Sequence, residues 1–125
     1  MREPRVLVVD DSDVIVEMLQ MVLENEGFDV ETAEEGPAAL RLLDGDLPDA
    51  VLLDVRMPDM DGWQVLARLR AEPRTRQLPV AVMSTEDEEQ GWVKALGRGA
   101  QAYLRKPFAP ARVTLLLREL AGTRC

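Results

Sequence analysis

Five polar side chains of this 125-residue chain stand where they could act together: Asp10, Asp11, Asp54, Ser84 and Lys106. Asp10-Asp11 follows Val6-Leu7-Val8-Val9, Asp54 follows Ala50-Val51-Leu52-Leu53, Ser84 follows Val80-Ala81-Val82-Met83, and Lys106 lies just beyond Ala102-Tyr103-Leu104. Singly, an acid after an apolar run is an ordinary cap or loop residue. Recurring at the ends of four such runs, the groups form a set. Three carboxylates brought to one place repel one another, so they need a cation, a lysine or partial protonation. Mg²⁺ is a natural partner, because it takes carboxylates, a backbone carbonyl and waters and completes its shell with phosphate oxygens. A carboxylate nucleophile beside a cation, an ammonium and a hydroxyl is the equipment of phosphoryl transfer.

Those runs must be strands that end on one edge. Val6–Val9 is continuously apolar, as a central parallel strand covered on both faces requires. Helical periodicity follows it, with Ser12 or Asp13 as cap, Ile15, Met18, Leu19, Val22 and Leu23 on the inner face, and Gly27 as stop. Residues 28–32 alternate like a more exposed strand, and 37–43 form a short helix ending near Gly45. After Asp54 and a Pro58 loop, Asp61-Gly62 opens a helix with Val65, Leu66 and Leu69 inward, closed by Pro73. The acidic run Glu86-Asp87-Glu88-Glu89 suits a helix N-terminus, Gly97 and Gly99 end that helix, and Val113, Leu116, Leu117 and Leu120 face a last helix inward. Five strands separated by helices predict a doubly wound α/β domain with a parallel sheet. In such sheets ligands bind outside the carboxyl ends of the strands, where the five polar groups fall.

Composition narrows the chemistry further. With 15 Lys plus Arg against 23 Asp plus Glu, the net charge of −8 repels nucleic-acid phosphates and anionic membranes. There is no histidine, which removes Ser-His-Asp and Cys-His catalysis, most zinc sites and any phosphohistidine of the chain's own. Cys125 is the only cysteine, so no disulfide forms within the chain, and a reducing cytoplasmic setting is expected. The segment after Met1-Arg2-Glu3-Pro4 is too briefly apolar for a signal peptide or a membrane span.

The segments 6–12 (VLVVDDS), 52–62 (LLDVRMPDMDG), 83–85 (MST) and 99–108 (GAQAYLRKPF) occur in the order and spacing of response-regulator receiver domains, which the chain resembles from about Arg5 to Leu120. The resemblance implies a flavodoxin-like sheet of strand order 2-1-3-4-5 with five helices on two faces. It reads residues 1–125 as a single receiver domain without an output domain. It implies Asp54 as phosphoacceptor, Mg²⁺ held by Asp11, Asp54 and the Arg56 backbone carbonyl, with Asp10 reached through water. Ser84 and Lys106 match the hydroxyl and ammonium that hold phosphoryl oxygens, and Lys106-Pro107 matches a cis peptide. Ser84 and Tyr103 match a switch in which the hydroxyl moves to the phosphoryl group and the ring turns inward, changing the surface of helix four, strand five and helix five. The donor would be a sensor histidine kinase or histidine phosphotransfer protein, the recipient of the signal a downstream protein effector. A homodimer through the same surface is left open.

Other positions carry expectations of their own. Arg56 and Glu86, two residues beyond Asp54 and Ser84, could pair over the site and slow loss of the phosphoryl group. Trp92 is either a partner anchor on that surface or a ring buried against strand five. Trp63 reads as packing of helix three, Met18 and Met21 as core or fill, and Arg74 and Arg76 as solvated loop charges. The alternative function is a phosphorylation-independent interaction module on the same fold. An aspartyl phosphohydrolase usually has an acid two residues after its nucleophile, where this chain has Arg56. A flavin phosphate would be repelled by Asp10-Asp11.

Overall fold

A computed structural model describes residues 3–122; the Met1-Arg2 start and Cys125, to which the sequence attached expectations, lie outside them. The chain runs β1 (Arg5–Val9), α1 (Asp13–Asn25), β2 (Asp29–Ala33), α2 (Gly36–Leu43), β3 (Ala50–Asp54), α3 (Gly62–Ala71), β4 (Val80–Ser84), α4 (Glu88–Gly97), β5 (Ala102–Arg105) and α5 (Pro110–Gly122). All strand pairs are parallel, in the order β2-β1-β3-β4-β5. This is the predicted doubly wound sheet.

The three apolar runs are the reason. Val6 to Val9, Ala50 to Leu53 and Val80 to Met83 are buried throughout. Alternate side chains serve opposite faces: Leu7, Val9, Val51, Leu53, Val80 and Val82 pack in one core, while Val6, Val8, Leu52, Ala81 and Met83 pack in the other. Each buried Val, Leu or Met side chain contributes about 1.5–3 kcal/mol. Two apolar layers therefore clamp the central strands from both sides.

The helices start where the sequence places caps. Ser12 Oγ accepts from Ile15 N, and Asp61 with Gln64 forms a reciprocal capping box at the start of α3. Asp87 caps α4 through Gln90 N. Several inner faces differ from expectation. In α1 the buried residues are Val16, Leu19 and Leu23, whereas Ile15, Met18 and Val22 are half-buried flanks. Met21 is a correction: it is 71% exposed and fills no core. In α5 Leu116 is half-buried, and Thr114 and Ala121 join Val113, Leu117 and Leu120 inside.

Arg74 is exposed, as expected, but it also has partners: its guanidinium donates to the carbonyl of Leu43 at 2.6 Å and to that of Gly45, at the C-terminal end of α2. Nearby, Arg70 of α3 donates to the carbonyls of Gly99, Thr75 and Leu78 and to Gln101 Oε1. Trp63 packs on the core as expected, with the Arg98 guanidinium 4.9 Å from its ring centroid.

Candidate functional site

The carboxyl ends of β1, β3, β4 and β5 deliver the predicted groups to one edge. Asp10 is fully buried just past β1; its Oδ1 accepts from Ser12 N at 2.9 Å, and its Oδ2 accepts from Lys106 Nζ at 2.7 Å. Asp54 ends β3, with Oδ1 3.1 Å from the same Nζ. One ammonium thus bridges two carboxylates from neighbouring strands. Asp11 stands at the exposed rim. Lys106 is tied to β4 by its own N–H, which donates to the Ser84 carbonyl at 2.8 Å, and the Lys106-Pro107 peptide is cis, as the resemblance implied.

The loop after β3 is shaped by a close approach. Gly62 N donates to the Val55 carbonyl at 2.8 Å, which draws the start of α3 against the end of β3. A Cβ on Gly62 would lie 2.3 Å from the Asp54 carbonyl oxygen, so only glycine fits there. Asp54 therefore sits on a strand end backed by α3.

Burial is the main reason that the Asp54 carboxyl is pushed up to about 6; the charge of Asp10 adds to the shift and Lys106 opposes it. Burial works against the charge of Lys106, but its hydrogen bond to Asp10 and the nearby Asp54 outweigh that and hold its pKa above the ordinary lysine value. For Asp54 the folded pKa exceeds the ordinary 3.8, so the native state loses stability as pH rises from about 4 to about 6 and carries the full cost above that. Allowing for solvent screening at the rim, the cost is on the order of 1–2 kcal/mol. Asp54→Asn is accordingly expected to raise the thermal midpoint at pH 7.5 by roughly 4 °C or more, with the gain vanishing below pH 4. Melting both proteins at the two pH values checks this; an equal gain at both would refute the electrostatic origin.

The donor set fits a hard cation. Asp10, Asp11 and Asp54 each bring one carboxylate oxygen to within 4.8 Å of the others. Oxygens on opposite sides of a Mg²⁺ ion at 2.0–2.1 Å are about 4 Å apart, so the trio needs little adjustment. The ligands are all oxygen and all anionic, with Asp11 at the open side.

Ser84 is buried at the end of β4, its Oγ accepting from Glu86 N at 3.3 Å. Tyr103 is 1% exposed, its ring turned inward. The phenol donates to the Glu86 carbonyl at 2.5 Å, with the Ser84 carbonyl at 3.1 Å. The ring thus links β5 to the β4–α4 turn, beneath the outer surface it was expected to help form. Trp92 lies half-buried on α4, packed against both cores. The expected Arg56–Glu86 pair is not formed: Glu86 Oε1 accepts from Lys94 Nζ at 2.6 Å, and Arg56 is exposed. Lys94 lies on the same helix that Glu86 precedes, so this partner costs little chain ordering.

A five-stranded doubly wound sheet with an acidic trio and a lysine at the carboxyl ends of its strands defines a class, the phosphoaspartate receivers. The chain belongs to the response regulator receiver domain family, whose model matches residues 6–118. It is a signalling phospho-switch domain of two-component systems rather than a conventional enzyme. It is 40% identical over 116 residues to the response regulator PleD of Caulobacter vibrioides, covering 93% of this chain and 26% of PleD. To the alkaline phosphatase synthesis transcriptional regulatory protein PhoP of Bacillus subtilis it is 41% identical over 119 residues, covering 92% of this chain and 49% of PhoP. The chain thus spans about a quarter to a half of these relatives. Among solved structures, the receiver domain of the Francisella response regulator 1452 superposes with a TM-score of 0.91 at 30% identity, covering 98% of this chain and 99% of that one. The chemotaxis response regulator CheY4 of Vibrio cholerae gives 0.88 at 30% identity, covering 94% and 98%.

Proposed function

We propose that Asp54 accepts a phosphoryl group from the phosphohistidine of a sensor histidine kinase or histidine phosphotransfer protein, and that the α4-β5-α5 surface passes the change to a protein effector. The observation carrying this reading is the position of the Asp54 carboxylate: 3.1 Å from Lys106 Nζ and clustered with Asp10 and Asp11 at the sheet edge. Above pH 6 that carboxylate is ionised and nucleophilic. Its oxygen attacks phosphorus, the P–N bond to imidazole breaks, and the departing imidazole takes up a proton. Lys106 neutralises one phosphoryl oxygen, and the Ser84 hydroxyl donates to another. Asp11, Asp54 and the Arg56 carbonyl would hold Mg²⁺ directly and Asp10 would reach it through water; the ion supplies charge neutralisation for the oxygens in flight. Water later attacks the acyl phosphate and restores the carboxylate.

Among the described residues no helix is long and apolar enough to cross a membrane, and the domain works in the cytoplasm on this reading. Trp92 is the anchor of the effector surface, and Tyr103 supports it from below. The alternative is a phosphorylation-independent interaction module on the same fold.

Intact mass after incubation with Mg²⁺ and acetyl phosphate separates the two. One added phosphoryl group, lost on chelation and absent from Asp54→Ala, is the expected result. No gain with any small phosphodonor or phosphohistidine donor would leave the module reading.

A further inference from the structure

A glycine in the interior of a helix is disfavoured relative to alanine, yet α4 carries Gly91 in its first turns, buried and without an unusual backbone angle to justify it. The justification lies across the gap to β5. A Cβ built on Gly91 would fall 2.2 Å from Cζ of Tyr103, 2.3 Å from Cε2 and 2.6 Å from Cε1. The phenol ring occupies the volume that any side chain at 91 would need. At its far end the ring is fastened by the hydroxyl, through the Glu86 carbonyl at 2.5 Å.

We propose that Gly91 is the positioning residue that admits the inward rotamer of the Tyr103 ring between α4 and β5. The inference rests on the reading of Tyr103 as the switch aromatic. An aromatic ring cannot bend away from a new Cβ; it must rotate out about χ1, or α4 must lift.

The chain has a single tyrosine, so 3-fluorotyrosine gives one ¹⁹F resonance that belongs to residue 103. Without Mg²⁺ or phosphodonor, the wild-type resonance is expected to resist broadening by a soluble paramagnetic agent. In Gly91→Ala it is expected to move toward the free-tyrosine position and broaden severalfold more. A resonance that stays in place and protected in the variant overturns the proposal. If Gly91→Ala does not fold, the Tyr103→Ala background decides. There the alanine at 91 should raise the thermal midpoint, whereas beside Tyr103 it should lower it or prevent folding. A midpoint lowered in both backgrounds, or raised in both, overturns the proposal. Neither arm involves phosphorylation, so both stand if Asp54 proves not to be a phosphoacceptor.

Discussion

Lys106→Met is expected to lower the unfolding free energy at pH 7.5, in the absence of divalent cations, by about 2–4 kcal/mol. The substitution keeps the length of the side chain and removes the one charge that bridges Asp10 at 2.7 Å and Asp54 at 3.1 Å. Asp10 is fully buried, and a buried charge stripped of its partner costs several kcal/mol. Two conditions should restore the loss. Protons do so as pH falls below about 6, because the Asp54 carboxyl neutralises instead of repelling its neighbours. Mg²⁺ does so by binding the native trio and not the unfolded chain. Urea unfolding at pH 7.5 and 5.0, with and without Mg²⁺, checks all three statements; an unchanged midpoint at pH 7.5 without the ion would contradict them.

Gly62→Ala is expected to cost about 3 kcal/mol, although alanine is the better helix former. The new Cβ would meet the Asp54 carbonyl oxygen at 2.3 Å, the Val55 Cα at 2.9 Å and the Asp54 carbonyl carbon at 3.0 Å. All three are backbone, so relief means moving the end of β3 or the start of α3. Either movement displaces the acceptor, and phosphorylation by acetyl phosphate should slow at least tenfold in whatever protein folds. Gly97→Ala is the control: no atom lies within 4 Å of its Cβ, and a gain of about 0.5–1 kcal/mol is expected. Equal effects at the two positions would show that helix propensity, not the close approach, governs residue 62.

The fold was legible because its causes are local. Three apolar runs, their caps and the turns between them fall in a regular order that only a parallel sheet with crossover helices satisfies. The acidic edge was legible for the same reason, since a strand's end fixes where its next residue points. What escaped the sequence is long-range and geometric. Arg74 reaches Leu43 and Gly45 across roughly thirty residues, and Arg70 reaches Gly99 over a similar span, and nothing in the spacing of those residues announces the carbonyls that receive them. The charges of Arg56 and Glu86 invited a pairing across the site, but Lys94 was the nearer partner by chain geometry. Val16 was missed because both flanks of α1 are apolar, which blurs the inner stripe. Gly91 carried no signal, because the reason for it is a ring on another element.

The four hydrogen bonds of Arg70 have a mechanical consequence. They pin the turn after α4 to α3 and to the beginnings of β4 and β5, and Arg98 over Trp63 adds a second fastening at that end. At the other end, α4 is held to its surroundings by Tyr103 beneath the β4–α4 turn and by exposed pairs such as Arg112–Glu88, which contribute little. The helix is therefore a lever with its fulcrum near Arg98. A push delivered at Ser84 produces its largest displacement around Asp87 and dies away toward the pinned end.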